Sequence, residues 1–234
     1  MQKIKNPFKQ LTKFEWMLWI VSIVVITLSF LLPEKKDVPS LIASLIGVTA
    51  LIFIAKGMVV GQVLVVVFAL LYGFVSWFQR YYGEMITYMG MSAPMAISAI
   101  VSWMKHPYQE GGDSSEVEVR ALSKKGWILL VLAALGVTVA FYFLLGALGT
   151  ANLPVSTVSV ATSFFASALV FLRSPYYALF YALNDVVLIV LWVGAAITDI
   201  SALPMVLCFA MFLLNDLYGL WSWRKMAQRQ AENR

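Results

Sequence analysis

Residues 175–196 read PYYALFYALNDVVLIVLWVGAA, twenty-two residues with a single formal charge at Asp185. A helix needs about 20 mostly apolar residues to cross a hydrocarbon layer of about 30 Å, so this stretch predicts a transmembrane span. Its polar and aromatic positions keep the helical period: Tyr177, Tyr181, Asn184, Leu188 and Trp192 step by three or four and share one face. Hydrocarbon penalises unpaired polar groups, so such a face turns toward a bundle interior or a cavity.

Working outward from this span, one spacing recurs. Trp192 follows Trp77 by 115 residues, and Pro154 follows Pro39 by the same 115. Three apolar segments follow each proline, and each triplet closes on a similar signature, Ser102-Trp103-Met104-Lys105 and Ser222-Trp223-Arg224-Lys225. The signatures are offset by 120 residues, so the second copy carries a five-residue insertion. Self-similarity at this scale predicts a duplication, and in a bilayer protein it places a substrate pocket at the seam of the repeats.

The composition agrees with a chain made mostly of bilayer spans. Hydrophobic residues make up 61% and charged residues 12%, with a mean hydropathy of +0.83. Eight stretches qualify as spans, at about 16–32, 40–56, 59–77, 86–104, 127–149, 153–172, 175–196 and 201–223. The fold class is therefore an all-α polytopic membrane protein. A 3+1+3 parallel-repeat core is preceded by an extra N-terminal helix. The divisions are 1–38, a basic segment and the first helix; 39–104, the first repeat; 105–152, linker and linker helix; 153–225, the second repeat; and 226–234, a tail. One span between two odd-numbered triplets gives both the same orientation, so the repeats are parallel.

The net charge of +5 is distributed as in a membrane protein, not as in a nucleic-acid binder. With eight spans, fourteen of the seventeen lysines and arginines fall on the side of the termini, leaving Lys35, Lys36 and Arg80 on the other. The positive-inside rule then predicts a multi-pass membrane protein with both termini cytoplasmic. No cleavable small-residue site precedes the first span, which is read as a retained helix. The polar stretch from Lys105 to Gly126 has the composition of a flexible linker. It holds His106, the lone histidine, which as a solvated loop residue is a poor metal ligand. Cys208, the single cysteine, excludes an intrachain disulfide.

Candidate binding residues are the polar and aromatic side chains inside the spans. Asn184-Asp185 in the seventh span and Asn215-Asp216 in the eighth carry Tyr181, Trp192 and Tyr218 at helical spacing, and the third contributes Gln62, Tyr72 and Trp77, with Gln79 just beyond. Amides beside aromatic rings suit a flat ring-bearing ligand, with Asp185 and Asp216 able to offset a cationic ring. The competing expectation is that these residues are interhelical hydrogen-bonding glue. Pro94 and Pro204 mark expected bends.

Phe78-Gln79-Arg80-Tyr81-Tyr82-Gly83-Glu84, Asn184-Asp185 with Trp192 downstream, and Asn215-Asp216-Leu217-Tyr218-Gly219-Leu220-Trp221-Ser222-Trp223 resemble the Pnu vitamin transporters, in particular the PnuC-type nicotinamide riboside transporters. The resemblance spans about 39–225 and implies a fold similar to the SWEET sugar transporters. It further implies energy-independent uptake of a nucleoside-like vitamin, trapping of the cargo by a cytoplasmic kinase, and a homo-oligomer, a trimer among the options, with one pathway per protomer. Related members carry thiamine or riboflavin.

Independently of the resemblance, no lysine or arginine lies in the middle of a span, which disfavours a phosphorylated cargo. No G-x-x-x-x-G-K-[ST] loop is present for ATP. The expected reading is facilitated diffusion by alternating access, without cofactor or metal. Proton coupling through Asp185 or Asp216 is an alternative. An intramembrane enzyme would need clustered acids or histidines, which the spans lack, and a sensory subunit would leave the polar residues as glue.

Overall fold

The computed structural model describes residues 6–34, 36–78, 82–108, 116–150 and 152–233. Eight of its helices are long and apolar enough to cross a membrane. They are α1 (Lys13–Leu31), α2 (Val38–Ala55), α3 (Val59–Phe78), α4 (Gly83–Lys105), α5 (Lys124–Ala147), α6 (Leu153–Phe171), α7 (Tyr177–Thr198) and α8 (Leu203–Glu232). Local chemistry fixes their starts. Thr12 and Glu15 form a capping box on α1, Asp37 accepts from the Ser40 amide at 3.1 Å, and the Ser123 side chain caps α5.

Six helices close into a ring in the order α2, α3, α4, α6, α7, α8, with α8 returning to α2. The helix α5 packs on α6 from outside the ring, and α1 packs on α2 and α8. The two triplets therefore meet at two interfaces, α4 with α6 and α8 with α2, and the end of the linker helix packs over the first, where Leu145 joins Met91 and Val160 in one buried cluster.

The Ser-Trp signatures occupy these interfaces. Trp103 of α4 donates its indole N–H to the Val170 carbonyl at 2.9 Å and Ser102 its hydroxyl to Phe171 at 2.9 Å, capping the end of α6. Trp223 and Ser222 of α8 donate to Ile54 at 2.8 Å and Ala55 at 2.7 Å, capping the end of α2. A helix end leaves carbonyls without intrahelical partners, and burial makes that costly. Each repeat thus completes the other. Both indoles are fully buried, their rings lie 5.4 Å apart, and Tyr177 stands 4.8 Å from Trp223.

Both capped helices stop at a residue in the left-handed region, Gly57 and Arg173. The Val117 amide donates to the Gly57 carbonyl at 3.0 Å, and the Arg120 amide to that of Arg173 at 2.9 Å. Residues 116–120 therefore strap the two helix ends together. Gln230 of α8 accepts from the Val119 amide and donates to the Val117 carbonyl. This part of the expected flexible linker is anchored because its backbone groups supply partners that the helix ends lack; Gly111 to Ser115 lie outside the described residues.

The five-residue insertion is distributed: α6 is one residue longer than α2, the turn after it two longer, and α7 two longer than α3. Counted back from the helix ends, the counterpart of Trp192 is therefore Tyr72, not Trp77. Trp77 is 54% exposed on the outside of the bundle. Pro39, Pro154 and Pro204 all sit in first turns, where a missing N–H costs nothing, so Pro204 starts a helix and does not bend one. Pro94 follows a π-helical stretch, Thr87–Ser92, and there the expected irregularity is present. Close helix approach depends on Gly47 and Gly61, where an added Cβ would stand 2.6 Å from Phe212 and 2.7 Å from the Ile54 backbone, whereas Gly136 and Gly149 have open space.

Candidate functional site

The ring is filled at the end that carries the termini and hollow at the other. Ala50, Ile54, Ala99, Trp103, Tyr177, Ala178 and Trp223 pack there as one buried cluster. Toward the far end a cavity of about 530 Å³ opens between α4, the end of α5, α6 and α7. It lies at the seam between the repeats, within the usual range of about 300–1,000 Å³ for small-molecule sites. Exposed loop residues at the far end, Gly149 and Asn152, belong to its lining. A second groove, about 1050 Å³, lies outside the ring between α1 and the terminal half of α8. Although larger, it does not sit between the repeats.

Three groups of residues give the cavity its chemistry. Ser156, Ser159 and Ser163 are spaced three and four apart along α6 and form a hydroxyl ladder on one face. Trp192 of α7 contributes an aromatic wall, and its indole N–H is buried without a partner among the described residues. From α4 come Glu84, Thr87 and Tyr88, brought inward at the start of the π-helical stretch. Tyr72 of α3 hydrogen-bonds to Glu84 from behind and meets the Tyr88 ring edge-on at 4.7 Å. No lysine or arginine lines the cavity among the described residues.

The residues singled out from sequence separate into distinct settings. Trp192 lines the cavity directly. Asn184 stands one layer behind, its Oδ1 accepting from Ser159 and from Thr162, each at 2.9 Å, so that it orients the hydroxyl ladder. Asp185 of α7 and Asp216 of α8 are both buried, away from the lining. Tyr88 lies within electrostatic reach of both Glu84 and Asp185, and Tyr181 of Asp185 and Asp216, so a polar column continues inward from the cavity. Tyr181 is held by Ser167 at 3.2 Å.

Others sit elsewhere. Asn215 donates to Ser22 of α1 at 2.9 Å and to the Met211 carbonyl at 2.8 Å, which is the interhelical glue arrangement. Tyr218 donates to Glu15 at 2.7 Å in the outer groove, where Lys56 pairs with the same carboxylate at 3.4 Å. Gln62 is buried in α3, Trp77 faces outward, and Gln79 lies outside the described residues. Four buried side-chain atoms lack a hydrogen-bond partner among the described residues, on Gln62, Asp185, Trp192 and Asn215, all positions chosen from sequence. Native interiors pair nearly all such groups.

Glu84 and the serine ladder are what sequence reading passed over. Glu84 closes a polar run at a helix start and looks like a solvated end, and serines fit either a packing face or a path. The ladder spacing of Ser156, Ser159 and Ser163 was the available signal.

Comparison with known proteins places this geometry in context. Residues 37–225 match the family model described as nicotinamide mononucleotide transporter. A nicotinamide riboside transporter PnuC from Neisseria mucosa is 28% identical over 225 residues, covering 94% of this chain and 84% of the relative. Another of the same name, from Haemophilus influenzae, is 22% identical over 227 residues and covers 97% of each chain. The crystal structure of the vitamin B3 transporter PnuC superposes with a TM-score of 0.80 at 25% identity, covering 94% of both chains.

Proposed function

We propose, from the premise that this chain belongs to the nicotinamide mononucleotide transporter family, that its cargo is the dephosphorylated nucleoside, nicotinamide riboside. The protein is a multi-pass membrane transporter and not an enzyme. The observation that carries the choice of cargo is the cavity lining. A phosphate monoester needs cationic or bidentate partners in a low-dielectric site, whereas the described lining offers a carboxylate, hydroxyls and an indole. A mononucleotide would bring its dianion against Glu84. A riboside instead presents hydroxyls to the serine ladder, a flat ring to Trp192 and a carboxamide able to accept from its free N–H.

The cycle follows from the asymmetry of the ring. The fourteen-to-three distribution of basic residues supports cytoplasmic termini, and on this reading, in a bacterial inner membrane, the cavity faces outward and the Ser-Trp caps close the inner end. Cargo enters between the repeats, the far end closes over it, and the capped interfaces part toward the cytoplasm. No phosphate-binding loop supplies ATP energy, so transport runs down the cargo gradient and phosphorylation by a cytoplasmic kinase keeps it inside.

Proteoliposomes containing the purified protein test this directly. Labelled nicotinamide riboside should equilibrate across the membrane without an imposed gradient and be displaced by unlabelled riboside but not by the mononucleotide. Displacement by the mononucleotide at equal concentration would refute the cargo choice. Uptake that requires a pH gradient and disappears in Asp185→Asn or Asp216→Asn would replace facilitated diffusion with proton coupling. Thiamine, also cationic and unphosphorylated, is the competing cargo, and its displacement curve in the same assay decides between the two.

A further inference from the structure

We propose that Glu84 is the specificity-determining residue for the charge of the cargo ring, acting as counter-ion to a cationic heterocycle held against Trp192. The proposal rests on the nucleoside reading above and sharpens it. Sequence reading gave this role to Asp185 and Asp216, but those carboxyls lie buried outside the cavity lining. Glu84 is the acid that lines the cavity among the described residues, and Trp192 lines it too.

Its surroundings fit the role. Tyr72 hydrogen-bonds to the carboxyl from α3 and fixes its direction, while Tyr88 flanks it one helical turn along α4. The Tyr72 ring is itself locked, stacked on Phe68 at 5.6 Å and edge-on to Tyr88 at 4.7 Å. No lysine or arginine competes for the carboxylate in the described lining. A positive ring brought between this acid and an indole face gains from both the charge and the ring quadrupole, and an equally sized neutral ring gains from neither.

Nicotinamide riboside and its reduced form, dihydronicotinamide riboside, make the test clean, because they share ribose and carboxamide and differ in ring charge. The purified wild-type protein should bind the cation at least about tenfold more tightly than the neutral form, a conservative expectation for a partly buried charge pair. In Glu84→Gln the two should bind within about twofold of each other, with the neutral form little changed. Glu84→Asp, which keeps the charge but withdraws it by one methylene, should weaken the cation several-fold more than the neutral form. A Glu84→Gln protein that keeps the wild-type preference, or a Glu84→Asp protein that weakens both forms equally, would overturn the assignment while leaving the cargo reading intact. Failure of the wild-type protein to bind either form would overturn the cargo reading itself.

Discussion

Replacing Trp223 with phenylalanine keeps an aromatic ring at the seam but removes the indole donor that reaches the Ile54 carbonyl at 2.8 Å, leaving that carbonyl only the Gly57 amide of its own turn. That carbonyl ends a buried helix, and the indole is fully inaccessible, so no solvent takes the donor's place. Losing one of its two hydrogen bonds costs about 0.5–1.5 kcal/mol, and trimming the indole to a phenyl ring leaves a void worth about 1 kcal/mol more. The total, about 1.5–2.5 kcal/mol, corresponds to a fall in melting temperature of roughly 3–10 °C for a chain of this size. Trp103→Phe should behave alike, since its indole holds Val170 in the same way. The double variant should fall short of the sum because the two rings touch. Trp77→Phe, at a half-exposed position, should change stability by under about 0.5 kcal/mol. Thermal denaturation followed by the loss of monodisperse protein on size exclusion provides the measurement. A Trp223→Phe protein that melts together with Trp77→Phe would refute the view that reciprocal indole caps hold the repeats together.

Three further outcomes separate site from scaffold. Trp192→Ala should weaken nicotinamide riboside binding by about 1–3 kcal/mol by calorimetry with little change in ligand-free melting, because it removes a cavity wall and not a seam. Asn215→Ala should do the reverse, costing about 1 kcal/mol of stability through the lost bond to Ser22 and leaving the affinity within about twofold. Gly61→Ala should cost more than about 1 kcal/mol, since its Cβ would meet backbone at 2.7 Å, while Gly136→Ala, in open space, should be neutral or stabilising by up to about 1 kcal/mol; matched melting temperatures for the two would contradict the packing described.

The spans were legible because hydrocarbon imposes a length and a polarity on every crossing, whatever the neighbours. Periodicity placed Trp192 on an inward face correctly. It could not tell Asn184 from Asn215: both sit in Asn-Asp pairs, and only the packing shows one against the serine ladder and the other against Ser22. A fixed offset of 115 paired Trp77 with Trp192, and the pairing fails because the extra residues are shared among a helix, a turn and another helix. Glu84 was invisible for a related reason. Its role depends on a π-helical stretch and on Tyr72 reaching over from α3, and neither leaves a mark on the residue's own sequence surroundings.

The exchanged Ser-Trp caps bear on how copies of this chain can associate. In the vocabulary of assemblies, the seam is an isologous contact made within one polypeptide: the same patch is used twice, each half presenting what the other receives. Such a contact closes on itself and leaves no complementary patch with which to recruit another molecule. The seam is therefore completed within a single chain, and an association of copies would use outward surfaces such as those carrying Phe74 and Trp77 of α3 or Leu129 and Leu132 of α5.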